Sequence, residues 1–256
     1  MNAQPFTLAG EPLLALPSGA LFQPEQGLLC VSDLHLGKAD RIARGNGPLL
    51  PPYETRVTLD RLAAAIDATA PRIVLCLGDS FDDLAAAGSL APEDRATLLS
   101  LQSGRRWVWT LGNHDPGPID LGGSHLAAFT AGPLTYRHIA QPGSRAEVSG
   151  HYHPKLALPG AGSRPCFLFD ADRLILPAFG AYTGGLAATA APLAALMGPG
   201  TRAILTGRRA ILGPNVPADG PAPTPVQAED GRTGGRSDTI RACPSAMPPR
   251  CFMPAD

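Results

Sequence analysis

The chain has 256 residues, room for one sizeable α/β core with additions, so a single catalytic-sized domain is the starting expectation. Its 21 lysines and arginines nearly cancel its 22 aspartates and glutamates, which excludes a global field drawing it to nucleic acid or anionic lipid. Five cysteines (Cys30, Cys76, Cys166, Cys243 and Cys251) are odd in number and form no Cys-x-x-Cys pair; Cys30 and Cys76, inside strand-like runs, read as buried free thiols, which fits a reducing compartment.

The opening Met1-Asn2-Ala3-Gln4-Pro5 lacks the basic segment and long apolar core of a signal peptide. Pro12 to Phe22 and residues 28–32 read as two strands of an opening hairpin. Glu54 to Ala68 follows Pro51-Pro52 and carries Val57, Leu59, Leu62 and Ile66, which predicts an amphipathic helix. A strand at 72–77, a helix over Pro92 to Leu101 and a strand at 106–111 continue the pattern. Strand and helix alternate as in a layered α/β fold. After Asp115, short strand-like runs at 133–139, 146–150, 166–169, 173–176 and 203–212 predict a second, more antiparallel sheet. Leu186 to Met197 is apolar but Ala-rich, interrupted by Pro192, and short of the roughly 20 residues a membrane span needs. A packed helix or loop is expected there, and a soluble cytoplasmic protein. From Pro214 onward Pro, Gly, Ala, Asp and Arg dominate without apolar periodicity. This predicts a catalytic domain over 1–213 and a disordered tail over 214–256.

Three of the predicted strands deliver metal-binding side chains to their carboxyl ends. Residues 28–32 lead into Asp33-Leu34-His35, 72–77 into Gly78-Asp79, and 106–111 into Gly112-Asn113-His114-Asp115. Open α/β sheets place ligand sites at that edge. Asp33 and His35 are two apart, so extended backbone would project both to one side, and His151 and His153 repeat that geometry. Asp79 follows a glycine that lets the backbone turn closely around an ion. Of six histidines only His125 stands apart from these clusters. Each fragment alone is weak, since a lone histidine such as His138 is more often a hydrogen-bonded structural residue. The ordered series Asp-x-His, Gly-Asp-x-x-Asp, Gly-Asn-His-Asp, His and Gly-His-x-His points instead to a metal site. Its oxygen and imidazole donors suit Mn²⁺, Fe or Zn²⁺.

In order and residue type this series resembles the calcineurin-like metallophosphoesterase superfamily over residues 12–212. Asp33-Leu34-His35-Leu36-Gly37-Lys38, Gly150-His151-Tyr152-His153-Pro154, Pro165-Cys166-Phe167 and Leu176 to Gly185 are similar to the bacterial ligase-associated DNA-damage-response endonucleases. Asp82-Asp83 departs from that subfamily, where some relatives carry histidine after Gly-Asp. The resemblance implies a two-layer β sandwich flanked by helices, with two divalent ions between the sheets. Carried over by residue, Asp33, His35, Asp79 and His153 hold one ion; shared Asp79 with Asn113, His138 and His151 holds the other. Mn²⁺ is the expected metal. Such a pair clamps both oxygens of an in-line phosphoryl displacement and supplies an activated water. His114 is then the candidate general acid, with Asp82 orienting its ring or merely capping the loop.

Lys38, Arg41 and Arg44, spaced by three, form one basic stripe on a helix. It either holds phosphates flanking the scissile one or is a solvated face. Phe179 and Tyr182, in the loop from Pro177 to Gly185, either stack bases in the cleft or pack beneath the loop. The expectation is a metal-dependent phosphodiesterase acting on DNA, an endonuclease in repair. By resemblance its partners are a DNA ligase, a helicase or an exonuclease. A phosphoesterase of the same fold acting on a small nucleotide or a phosphoprotein is the alternative, and a non-catalytic scaffold a more remote one.

Overall fold

A computed structural model describes residues 2–45, 47, 51, 53–160 and 162–217. Two β sheets share one core. The first runs β1 (Gln4–Leu8), β2 (Glu11–Ala15), β3 (Leu21–Gln23), β4 (Leu28–Val31), β5 (Ile73–Leu77), β6 (Arg106–Thr110) and β7 (Ser124–Leu126) in spatial order. β1 to β4 are antiparallel neighbours, whereas β4 to β7 are parallel, in register Leu28↔Ile73 and Ile73↔Arg106. The strands between 1 and 23 differ from the expected single run. Pro17-Ser18-Gly19 breaks it into β2 and β3, and the unexpected β1 joins β2 through Ala9 and Gly10, both at positive φ. Two left-handed residues match the twist of a tight hairpin.

The parallel strands are buried on both faces and therefore read as continuous apolar runs. Leu28, Cys30, Leu75, Leu77 and Val108 face the second sheet, while Leu29, Val31, Val74, Cys76, Trp107 and Trp109 face the helices. Helix α1 (Lys38–Arg44) follows β4, and α2 (Glu54–Thr69) packs Leu59, Leu62, Ala65 and Ile66 against the sheet. Val57, expected on that buried face, is exposed. Helices α3 (Leu84–Gly88) and α4 (Pro92–Gln102) complete this layer, α4 starting at a proline whose missing N–H is harmless in a first turn.

The second sheet has the order β15 (Ile211–Asn215), β14 (Arg202–Leu205), β12 (Gly162–Phe169), β13 (Arg173–Ile175), β10 (Glu147–Ser149), β9 (Leu134–Tyr136) and β8 (Phe129–Ala131). β11 (Lys155–Leu158) pairs with β12 alone. This sheet is more mixed than expected, because β10 lies parallel to both β9 and β13. Phe129, Tyr136, Val148, Phe167, Leu174 and Ile204 meet the first sheet in the shared core. On the outer face Leu193, from the short α5 (Ala191–Ala194), packs on Cys166, Leu168 and Leu205.

Ordered structure passes the expected boundary at Gly213. β15 continues through Pro214 to Asn215, and the Val216 N–H donates to the Thr201 carbonyl at 2.9 Å. β15 is an edge strand, where a proline interrupts no ladder. Residues 218–256, most of the expected tail, lie outside the described residues. Among the described residues no helix is long and apolar enough to cross a membrane.

Candidate metal centre

The loops after β4 and β5 are stitched together by backbone hydrogen bonds. Asp33 N–H donates to Gly78 O at 3.2 Å and His35 N–H to Asp79 O at 3.0 Å. From the second sheet, His138 follows β9, and His151 and His153 follow β10. Three donor groups result, each with its ligand atoms within 4.8 Å of one another: Asp33, His35 and His153; Asp79, His138 and His151; His35, Asp79 and His114. Asn113 joins the second group, its Oδ1 3.0 Å from His138 Nε2. Asp33, His35, Asp79, Asn113, His114, His138, His151 and His153 are thus brought close to one another.

The local backbone differs from the extended form expected for Asp33 and His35. Asp33, His35, Asp79, His151 and His153 all sit at positive φ, between 45° and 70°. These are left-handed turns rather than strand continuations, and they send neighbours to different places: His151 to Asp79 and His138, His153 to Asp33 and His35. Left-handed non-glycine residues are uncommon and gather at functional sites, where the surroundings hold them. Here the surroundings include two glycines. A Cβ on Gly150 would lie 1.8 Å from Ser32 Oγ, and one on Gly112 would lie 2.2 Å from Asp79 Oδ1. Both allow a close approach that no side chain permits.

Buried polar atoms test whether these residues fit a metal. Both ring nitrogens of His35 are buried without an aligned hydrogen bond, Nδ1 facing Asp82 Oδ1 at 2.8 Å and Nε2 facing no carboxylate among the described residues. Asp33 Oδ1 and His153 Nε2 lie 3.0 Å apart, yet both are buried without an aligned hydrogen bond. Unsatisfied buried polar atoms are rare in folded proteins, and atoms that converge without pointing at one another are arranged as ligands of a common cation. The donors are oxygen and nitrogen throughout. Among the described residues no thiol joins these groups: Cys30, Cys76 and Cys166 are buried and free, and burial pushes Cys166 up to about 12.

Charge reinforces the arrangement. Burial opposes the charged form of Asp33, but His153 and His138 outweigh it and hold its carboxyl below the usual range. Asp79 is likewise held well down, burial being overcome by His138 and by the His114 N–H, which donates to Oδ1 at 2.9 Å. Burial lowers His151, and the neighbouring His138 lowers it further.

Sequence reasoning passed over two supporting residues. Ser32 Oγ and the His151 N–H both donate to Asp33 Oδ2, at 2.5 and 3.0 Å. Asp115 accepts from the Ser80 and Phe81 N–H groups at 2.8 and 3.2 Å and so fixes the loop that carries Asp79. Burial, then the Asp79 charge, pushes Asp115 up to about 6 despite those amides. Its place in Gly-Asn-His-Asp was the available signal.

Asp82 takes a different role from the one expected. Its carboxylate lies 2.8 Å from His35 Nδ1 and pairs with Arg41, with Lys38 Nζ at 3.9 Å. His114 Nδ1 is held instead by the backbone carbonyl of Asp82, at 3.0 Å. Burial raises the Asp82 carboxyl, but His35 and Arg41 prevail and bring it to about 2. The expected basic stripe does lie on one face of α1, but it turns toward acid. Arg44 reaches both oxygens of Asp83, at 2.8 and 2.9 Å. The aromatic loop divides likewise: Phe179 is buried beneath Arg61, whereas Tyr182 is 48% exposed. His125 accepts the Ile119 N–H and stays outside the site.

The model of the calcineurin-like phosphoesterase family matches residues 28–164, which include every candidate ligand from Asp33 to His153. The chain belongs to the calcineurin-like phosphoesterase family. The family implies divalent metal ions, and the Asp and His groups of this phosphoesterase can hold them. Among solved structures, the phosphoesterase is similar to the crystal structure of Pseudomonas putida nuclease MPE. The two share 27% identity over 82% of this chain and 100% of that one, with a TM-score of 0.67. No curated protein matches the phosphoesterase.

Proposed function

We propose that this phosphoesterase is a binuclear-metal phosphodiesterase that cuts DNA, a cytoplasmic endonuclease of a repair pathway. The observation that carries the reading is the sharing of Asp79, which belongs both to the group with His138 and His151 and to the group with His35 and His114. Similarity to a nuclease supports the substrate class. We assign one ion to Asp33, His35, Asp79 and His153, the other to Asp79, Asn113, His138 and His151, with Mn²⁺ as the metal. When bound, the ions supply Lewis acidity and a water of lowered pKa.

His114 handles the proton. Its Nδ1 is engaged by the Asp82 carbonyl, which leaves Nε2, 4.0 Å from Asp79 Oδ2, to donate to the leaving oxygen. Asp82 lies against the Nδ1 side of His35, its Oδ1 2.8 Å away, so their charge pairing orients the ring with Nε2 toward the metal. Work beside a DNA ligase, a helicase or an exonuclease is part of the proposal and follows the subfamily resemblance.

A second reading, a small nucleotide or a phosphoprotein as substrate, draws support from one observation. Arg41 and Arg44, expected to grip flanking phosphates, are already paired with Asp82 and Asp83. Activity with Mn²⁺ on bis-p-nitrophenyl phosphate, p-nitrophenyl phosphate, and single-stranded and nicked DNA separates the two. The proposal expects diester turnover above monoester turnover, together with DNA cleavage. Monoester preference without DNA cleavage would favour the second reading.

A further inference from the structure

Beside the donor groups lies a hollow of about 340 Å³, whose lining includes the candidate ligands Asn113 and His138 together with Leu111, Arg137 and Ile139. Its size falls in the range of small-ligand sites. Leu111 and Ile139 are 36% and 43% exposed, two large apolar side chains turned to solvent at the edge of a polar centre. Arg137 is positioned from behind. Its Nε forms an ion pair with Oε1 of Glu147 at 3.0 Å, without an aligned hydrogen bond; Glu147 is a buried carboxylate that accepts the Gln141 N–H at 3.1 and 3.2 Å. That ion pair runs through Nε, and the Arg137 side chain keeps 24% of its surface exposed. Glu147 is shared with Arg173, whose Nη1 is 3.7 Å away, so one buried carboxylate faces two guanidinium groups. The result is a braced, partly exposed cation next to an apolar surface, one residue along the chain from the candidate ligand His138.

A guanidinium fork suits a phosphate, and exposed aliphatic side chains suit a sugar or base. We propose that this hollow is the subsite for the nucleotide flanking the scissile phosphate, with Arg137 taking its phosphate and Leu111 and Ile139 its nucleoside. The assignment rests on the phosphodiesterase reading above. It also moves the grip on the substrate away from α1, whose arginines are occupied by Asp82 and Asp83.

The test uses the full-length, metal-loaded enzyme and three diesters with one leaving group. These are bis-p-nitrophenyl phosphate, thymidine p-nitrophenyl phosphate, and the latter carrying a second phosphate on its other hydroxyl, each nucleoside ester in 5′- and 3′-linked forms. In the wild type, kcat/KM should rise on adding the nucleoside and again on adding the phosphate. Arg137→Gln should erase the phosphate gain by about tenfold, mainly through KM, and Arg137→Lys should restore part of it. Ile139→Asp should erase the nucleoside gain. Because ratios between esters are compared, loss of folded enzyme cancels. An equal loss on all three esters in Arg137→Gln would mean that Arg137 serves only its contact with Glu147, and no loss would mean that the hollow is unused; either overturns the subsite. A wild type that turns over bis-p-nitrophenyl phosphate but gains nothing from nucleoside or phosphate, and leaves DNA intact, would sink the nucleic-acid reading and the subsite with it.

Discussion

Asp79 and His138 meet across the two sheets, Oδ2 of the carboxylate 3.3 Å from Nε2 of the ring. One follows β5 and the other follows β9, so the contact joins the layers at the place where the donor groups overlap. If Asp79 serves both ions, Asp79→Asn weakens the shared charge and costs metal as well as rate. The expected outcome is fewer than two equivalents by elemental mass spectrometry, with activity down by more than about a hundredfold, beyond a typical supporting residue. Two full equivalents in the variant would end the bridging assignment.

His114 offers a cleaner separation of chemistry from binding. As a general acid it matters when the leaving oxygen needs a proton and little when it does not. His114→Gln should slow DNA cleavage by roughly 10²–10⁴. Hydrolysis of bis-p-nitrophenyl phosphate, whose leaving group departs as a stable anion, should fall far less. A loss of the same size on both substrates would place His114 in metal or phosphate binding instead.

Asp82 lends itself to a pH measurement. Its folded carboxyl sits at about 2, below the ordinary value of about 3.9, so the charged form favours folding. That contribution is present above pH about 4 and is lost as pH falls toward about 2. Asp82→Asn should therefore lower stability at neutral pH by about 1–3 kcal/mol and flatten its decline through this acid window. Chemical denaturation at a series of pH values, with chelator present in both proteins, reads both effects. Parallel curves would show that the contacts to His35 and Arg41 contribute nothing.

On α1, Arg44→Ala removes an exposed pair with Asp83. Such pairs contribute about 0–1 kcal/mol. Neither the thermal midpoint nor the slope of DNA affinity against salt should change appreciably. A slope shallower by about 0.7–0.9 would show instead that Arg44 leaves Asp83 for a phosphate.

Gly150→Ala tests the packing between the layers. The added methyl would overlap Ser32 Oγ and press on Asp33 Oδ2, at 1.8 and 2.6 Å. Overpacking of this kind costs about 1–3 kcal/mol. Metal affinity should fall along with stability, because Asp33 is the group displaced. Retained metal at reduced stability would uncouple the two.

Much of this was legible in the chain because chemistry and periodicity coincide there. Continuous apolar runs such as Leu28 to Val31 and Ile73 to Leu77 announce strands buried on both faces, and each ends in a ligand-type side chain. Less legible were features that depend on distant partners. Nothing near Arg41 or Arg44 reveals that α1 faces Asp82 and Asp83, some forty residues later. Spacing by two suggested extended backbone for Asp33 and His35, because tertiary contacts, not local pattern, impose the left-handed turns. β1 was missed because Phe6 and Leu8 offer too short an alternation, and its pairing through Ala9-Gly10 is what makes it a strand.

The left-handed turns under Asp33, His35, Asp79, His151 and His153 also bear on design. Grafting the seven side chains onto the strand ends of another sandwich would not transplant this centre, since regular strands aim residues i and i+2 the same way. The portable unit is the loop, with its glycines, Ser32 and Asp115 included. An engineer wishing to move the activity should cut at the ends of β4, β5, β6, β9 and β10 and carry the turns whole.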